Sequence, residues 1–136
     1  MAGNAGTFFR QQFPALAWAA LIFLLSSIPA NKLPDMKIFS IDKFAHVFVF
    51  FVLGLLVYRG LSRPSEPAGF SLPRMGLAFA LVMAYGILDE LHQGLVPGRS
   101  LDIFDALADA AGGLLAGLTL FFFFRYLRRK QVAVPE

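Results

Sequence analysis

Leu101–Phe124 reads LDIFDALADAAGGLLAGLTLFFFF. Asp102, Asp105 and Asp109 stand three and then four residues apart, the spacing that puts side chains on one face of an α-helix. At 1.5 Å per residue these carboxylates cover ~10 Å of helix axis, so Asp109 sits well below the helix end. The same stripe runs on into Gly112, Gly113, Ala116 and Gly117, and Gly113 with Gly117 has the small-xxx-small spacing that lets another helix approach closely. The segment is otherwise rich in Leu and Phe and reaches the ~20 residues that span a ~30 Å hydrocarbon core. A carboxylate stripe turned to lipid is very costly, so it must face other helices. The stretch therefore reads as a membrane helix inside a bundle.

Three more apolar stretches lie upstream, at about Thr7–Ile28, Ile41–Leu61 and Met75–Leu95. None alternates with the period of two that a barrel strand needs, and backbone groups in lipid must be satisfied within the segment, so helices follow. The expected fold class is all-α: one domain over residues 1–136, a bundle of four transmembrane helices at about 7–28, 41–61, 75–95 and 101–124. Composition agrees. Hydrophobic residues make up 57% and charged residues 15%, where a soluble domain carries roughly 25% charged residues. Phe occurs 16 times and the mean hydropathy is +0.66. There is no cysteine, which excludes disulfides, thiolate metal sites and cysteine nucleophiles. The pI near 9.6 does not point to nucleic acid, because the basic residues sit in flanks and connections.

The first stretch reads as a span rather than a signal peptide. Its leading region offers only Arg10, its apolar run Phe13–Leu25 is long, and Ile28-Pro29-Ala30 is a poor cleavage site. With both termini in the cytoplasm, the inner side holds Arg10, Arg59, Arg63, Arg74, Arg125, Arg128, Arg129 and Lys130. The outer side holds Lys32, Lys37, Lys43 and Arg99, a bias that favours this orientation. The Arg125–Lys130 cluster also suits an anionic inner leaflet. Arg59–Arg74, with Pro64, Pro67, Gly69 and Pro73, reads as a loop, as does Pro29–Ser40 with Pro29 and Pro34. Pro97-Gly98 marks a tight turn, after which Ser100 is expected to cap the fourth helix with Asp102 in its first turn. Tyr58 and Tyr126 suit an inner aromatic belt, and Val132–Glu136 reads as a frayed tail.

The nine acidic residues are Asp35, Asp42, Glu66, Asp89, Glu90, Asp102, Asp105, Asp109 and Glu136. Asp42, Asp89, Glu90, Asp102, Asp105 and Asp109 gather at the expected outer ends of helices two, three and four. Asp42 and His46 share a face four residues apart, as do Asp89 and Gln93. Arg99 is the expected counter-charge, since a guanidinium can hold a carboxylate of the bundle or grip a phosphate or carboxylate of a ligand. Arg99, Gln93, Asp102, Asp105 and Asp109 are therefore the ligand-binding candidates. Asp42, His46, Asp89 and Glu90 are the candidates for acid–base chemistry, because close carboxylates push one another apart in pKa. His46, Asp89, Glu90 and Asp105 are the metal candidates, a mixed nitrogen and oxygen donor set. No cofactor is expected. Lys43 is expected to snorkel, His92 to lie at the headgroup interface, and Trp18 to pack or face lipid.

At these residues the sequence resembles the VanZ-like family of bacterial membrane proteins. The resemblance rests on Ser26-Ser27-Ile28-Pro29, Asp42-Lys43-Phe44-Ala45-His46, Asp89-Glu90-Leu91-His92-Gln93, Pro97-Gly98-Arg99-Ser100, Asp102 with Asp105, and Gly112-Gly113. Together they cover about Ser26–Gly117. One departure stands out: where Asp109 lies, the family pattern more often has asparagine, so protonation and ligand preference can differ here. The resemblance implies a multi-pass protein of the bacterial cytoplasmic (inner) membrane, related to lowered susceptibility to the lipoglycopeptide antibiotic teicoplanin.

Three functions stay open on the sequence. The first is a cell-envelope binding protein whose outward-facing polar site takes a lipid-linked precursor or a glycopeptide. The second is a membrane hydrolase or transferase on a lipid-linked substrate, with Ser26 and Ser27 as nucleophile candidates by location alone. The third is a proton or cation conduit along the aspartate ladder, which stops at Asp109 before the inner half Leu114–Phe124. Partners are expected to be membrane lipids and the envelope ligand, with no nucleic acid.

Overall fold

A computed structural model describes residues 2–32, 39–62 and 69–132. It has four α-helices: α1 (Ala2–Ser26), α2 (Phe39–Gly60), α3 (Leu72–Gln93) and α4 (Ile103–Val132), with a 3₁₀ turn at Ala30–Lys32 and no strand among the described residues. Pro34, Lys37, Arg63, Pro64 and Pro67 of the expected connections lie outside the described residues, as do Asp35, Glu66 and the tail residues 133–136.

The helix ends follow from local chemistry. α1 stops at Ser26 because Pro29 disfavours helical backbone before it, and Ile28 N–H closes a tighter turn onto Leu25 O at 3.2 Å. α3 begins three residues before the expected Met75. Ser71 caps it, accepting from Arg74 N at 3.5 Å, and Pro73 falls in the first turn, where its missing N–H costs nothing. The proline that reads as loop is thus a helix start. Asp102, not Ser100, caps α4: its Oδ1 accepts from Phe104 N at 2.8 Å, and its carbonyl accepts from Asp105 N at 3.0 Å. α4 also runs past Phe124 through the basic cluster to Val132, since Arg and Lys are good helix formers and cations favour a helix C-terminus.

Among the described residues three helices are long and apolar enough to cross a membrane: α2 over Ile41–Gly60, α3 over Leu72–Gln93 and α4 over Ile103–Gln131. Only 22% to 28% of each apolar window is buried against protein. Phe44, Phe48, Leu88, Leu118 and Phe122 are all exposed, a surface suited to lipid. α1 carries Arg10, Gln11, Gln12 and Pro14 in its first half and is apolar from Ala15 to Leu25.

α4 packs chiefly on α2 and secondly on α3. The small-residue stripe explains how. A Cβ at Gly112 would lie 2.5 Å from Val47 O and 2.8 Å from Phe51 N, so only glycine allows the α2 and α4 backbones to meet there. Gly113 and Gly117 instead face Phe79, Val82 and Met75 of α3. The stripe is thus shared between two neighbours, and α4 sits as a wedge between them. Ile22, Phe50, Leu53 and Val82 form the apolar core where α1, α2 and α3 meet. Two hydrogen bonds cross-link that core: Trp18 Nε1 donates to Val49 O at 2.9 Å, and Tyr85 OH to Ala19 O at 2.6 Å. Trp18 is therefore a packing residue. At the opposite end Tyr58 is buried rather than placed in a belt. Its hydroxyl donates to Gly69 O at 3.0 Å and accepts from Ser71 N at 2.9 Å, tying the end of α2 to the start of α3.

Candidate functional site

At the end where α2 and α4 begin and α3 finishes, two ladders of side chains meet. From α2, Lys43 and His46 are three residues apart on one face. From α4 and its cap come Asp102, Asp105 and Asp109. Lys43 Nζ lies 2.6 Å from Asp102 Oδ2, also pairs with Asp105 Oδ1, and reaches Asp42 Oδ2 at 3.5 Å. One turn deeper, His46 Nδ1 lies 2.9 Å from Asp109 Oδ1, and Nε2 lies 3.9 Å from Asp105 Oδ2. The Lys43 bond, aided by the Phe104 N–H, holds the Asp102 carboxyl below its ordinary value of 3.8.

This arrangement corrects one expectation. Lys43 does not snorkel; it is the counter-charge of the acidic stripe. Gly112 brings α2 onto α4, and that contact turns position 43 inward. His46 hydrogen-bonds Asp109 on the neighbouring helix. The sequence does place Lys43 on the His46 face at helical spacing.

Arg99 has other partners. Nε donates to Ile28 O at 3.0 Å, Nη2 to Leu25 O at 3.4 Å and Nη1 to Gln93 Oε1 at 3.0 Å. It satisfies carbonyls at and just past the end of α1, groups that a helix leaves unpaired. Charge pairing of Arg99 with the acidic stripe is thus replaced by helix capping, because the stripe already holds Lys43.

α3 contributes the third wall. Asp89, Glu90 and Gln93 are all buried. Asp89 Oδ2 lies 2.8 Å from Ser26 Oγ and 3.0 Å from Gln93 Nε2. Ser26 Oγ is also 2.9 Å from Ile22 O, and its single proton serves one of these acceptors at a time. Glu90 Oε2 accepts from Asp102 N at 3.2 Å, which fixes the approach to α4. The His92 ring stacks on Phe23 with centroids 4.4 Å apart, and Nε2 is 2.9 Å from Ser27 Oγ. Asp89 Oδ1, Glu90 Oε1 and Asp109 Oδ2 are buried without a hydrogen-bond partner among the described residues.

Between α1, α2 and α3 a cleft of about 210 Å³ opens beside this cluster. Ile22, Leu25, Val49 and Phe50 form an apolar wall, while Ser26, Asp42, His46, Asp89, Gln93 and Arg99 supply polar groups. Asp102, Asp105 and Asp109 lie behind His46 and outside that lining. Among the described residues two groups of side chains are close enough to hold a metal ion: Asp42, His46 and Asp105, and His46, Glu90 and Asp109. Asp89, a metal candidate by sequence, joins neither group and bonds Ser26 and Gln93 instead.

Fold and site together define a helical membrane protein with an ionisable cluster enclosed among its helix ends. The family model described as VanZ/LLP1 matches residues 7–125, which include every residue of the cluster and of the cleft. The chain belongs to the VanZ/LLP1 family. No curated protein matches the chain, and neither does any solved structure.

Proposed function

We propose that this protein crosses the bacterial cytoplasmic membrane four times, with both termini inside and the polar end of the bundle at the outer surface. The Lys and Arg asymmetry supports that orientation. A 25-residue α1 supports the fourth crossing, since it extends ~37 Å along the axis.

We further propose that the cleft binds the head of a lipid-linked cell-envelope precursor or a glycopeptide-like ligand, and so bears on lipoglycopeptide susceptibility. The observation that carries this reading is the mixed lining of the cleft. An apolar wall from Ile22 to Phe50 suits a hydrocarbon or ring, while Arg99 suits a phosphate or carboxylate. A guanidinium has five N–H donors, and the carbonyls of Leu25 and Ile28 with Gln93 take three of them. Asp42 and Asp89 in the same lining favour hydroxyl or amine donors on the ligand. The test replaces Arg99 with alanine and measures surface binding and lipoglycopeptide susceptibility in a strain where the wild type has an effect. The reading expects both to fall; unchanged values would sink it.

The His46–Asp109 pair favours a second reading, a hydrolase or transferase on such a lipid. A histidine oriented by a buried carboxylate is a general-base arrangement, and His46 also lines the cleft. Incubation with envelope lipids, with and without chelator, separates the two readings. Absence of turnover across a broad panel leaves the binding reading standing alone.

A further inference from the structure

Lys43 is bound on one side of the site, by Asp102 and Asp105. Glu90 and Asp109 lie on the other side, 4% and 0% exposed, and each keeps one buried oxygen without a partner. Glu90 Oε2 and Asp109 Oδ1 are held by Asp102 N and His46, but a buried oxygen left without a partner still costs free energy. Asp109 meets the His46 imidazole through Oδ1, and its second oxygen, Oδ2, faces Gly86 of α3. One ligand atom from each of His46, Glu90 and Asp109 lies within 4.8 Å of the other two.

We propose that His46, Glu90 and Asp109 bind a divalent transition-metal ion. The spacing suits it. Two donors each ~2.1 Å from one ion stand about 3 Å apart at right angles and about 3.4 Å apart at the tetrahedral angle, so the hydrogen-bonded His46 Nδ1 and Asp109 Oδ1, 2.9 Å apart, need open only slightly to take one. The donor set of one imidazole and two carboxylates suits zinc or manganese better than magnesium or calcium, which take oxygen ligands. Glu90 is held by the Asp102 N–H through its other oxygen, so the carboxylate is oriented before an ion arrives. Three protein ligands leave a coordination position for an outside donor, and His46 adjoins the cleft from which one can come. Binding displaces the proton shared by His46 and Asp109 and so releases it to solvent. The ion stands behind the cleft, and its presence does not depend on what the cleft binds.

The experiment uses the full chain in lipid nanodiscs, stripped by chelator and then dialysed against zinc or manganese. Elemental analysis should find one equivalent retained by the wild type, with a raised Tm. Asp109→Asn and Glu90→Gln, which keep side-chain shape, should weaken retention by more than about a hundredfold and abolish the rise; loss of even a supporting partner costs 10–100-fold. Arg99→Ala should retain the metal, which separates this proposal from the cleft's ligand. Should a carboxylate variant fail to fold, the manganese-loaded wild type provides the second readout. Its electron spin echo should show nitrogen coupling from one imidazole. The proposal is overturned if the wild type retains no metal, if retention survives Glu90→Gln but fails in Asp42→Asn, or if no nitrogen coupling appears.

Discussion

Lys43 Nζ sits 2.6 Å from Asp102 Oδ2 and pairs with Asp105 as well, so one ammonium ties the first turn of α2 to the first turn of α4. Both helices start at this end, and without the α2 ammonium the like charges of Asp102 and Asp105 at the start of α4 would face each other unscreened. Lys43→Met removes the cation and leaves Asp105 buried without it. Breaking a buried pair by removing one partner costs about 3–5 kcal/mol, and the part-exposed Asp102 puts this site at about 3 kcal/mol. Urea unfolding in detergent micelles measures the loss.

The same pair sets an acid limit on the fold. The Asp102 carboxyl is held below 3.8, first by its bond to Lys43. A carboxyl lowered on folding contributes stability above its ordinary value, and that contribution is lost as pH falls through the lower folded value. Tm scanned downward from pH 7 should therefore show an Asp102 contribution that disappears below 3.8, and Lys43→Met should remove that part of the dependence.

Gly112 and Gly76 provide a matched contrast. A methyl group at Gly112 would collide with Val47 O and Phe51 N, which are backbone and cannot swing aside, whereas one at Gly76 meets nothing within 4 Å. Gly112→Ala should destabilise by about 1–3 kcal/mol or more through overpacking, and should loosen the Lys43 and His46 contacts with it. Gly76→Ala should be neutral or up to about 1 kcal/mol stabilising, from helix propensity. Tm of the two variants in one detergent decides between these outcomes.

Much of this was legible in the sequence. Helix number and the inward turn of Asp105 and Asp109 follow from spacing and from the cost of charge in lipid. Partner choice was less legible. Nothing in the spacing of Lys43 says that Gly112 will bring α4 close enough to capture it. Nor does a single Arg among carboxylates show that the end of α1 will present Leu25 O and Ile28 O to Arg99 first. Helix boundaries also moved where one residue type has two meanings. Pro73 breaks a helix in its interior but is at ease in a first turn, and the basic run after Phe124 reads as a flank yet continues α4.

Tyr58→Phe probes the opposite end. The hydroxyl bridges Gly69 O and Ser71 N, so its loss leaves a carbonyl and an N–H to find other partners near the start of α3. At about 0.5–1.5 kcal/mol per hydrogen bond, the change should cost about 1–3 kcal/mol. It should also speed hydrogen exchange at the Ser71 amide while leaving the exchange of amides around Asp109 unchanged. Equal acceleration at both ends would contradict the separation of this bridge from the ionisable cluster.

The cleft beside Arg99 is tested most directly by native mass spectrometry of the protein released from its own membrane. The account predicts that the wild type and Gly76→Ala carry an anionic amphiphile from the cell envelope, and that Arg99→Ala loses it. The same bound species at the same occupancy in Arg99→Ala, or a wild type carrying only bulk membrane lipid, would contradict it.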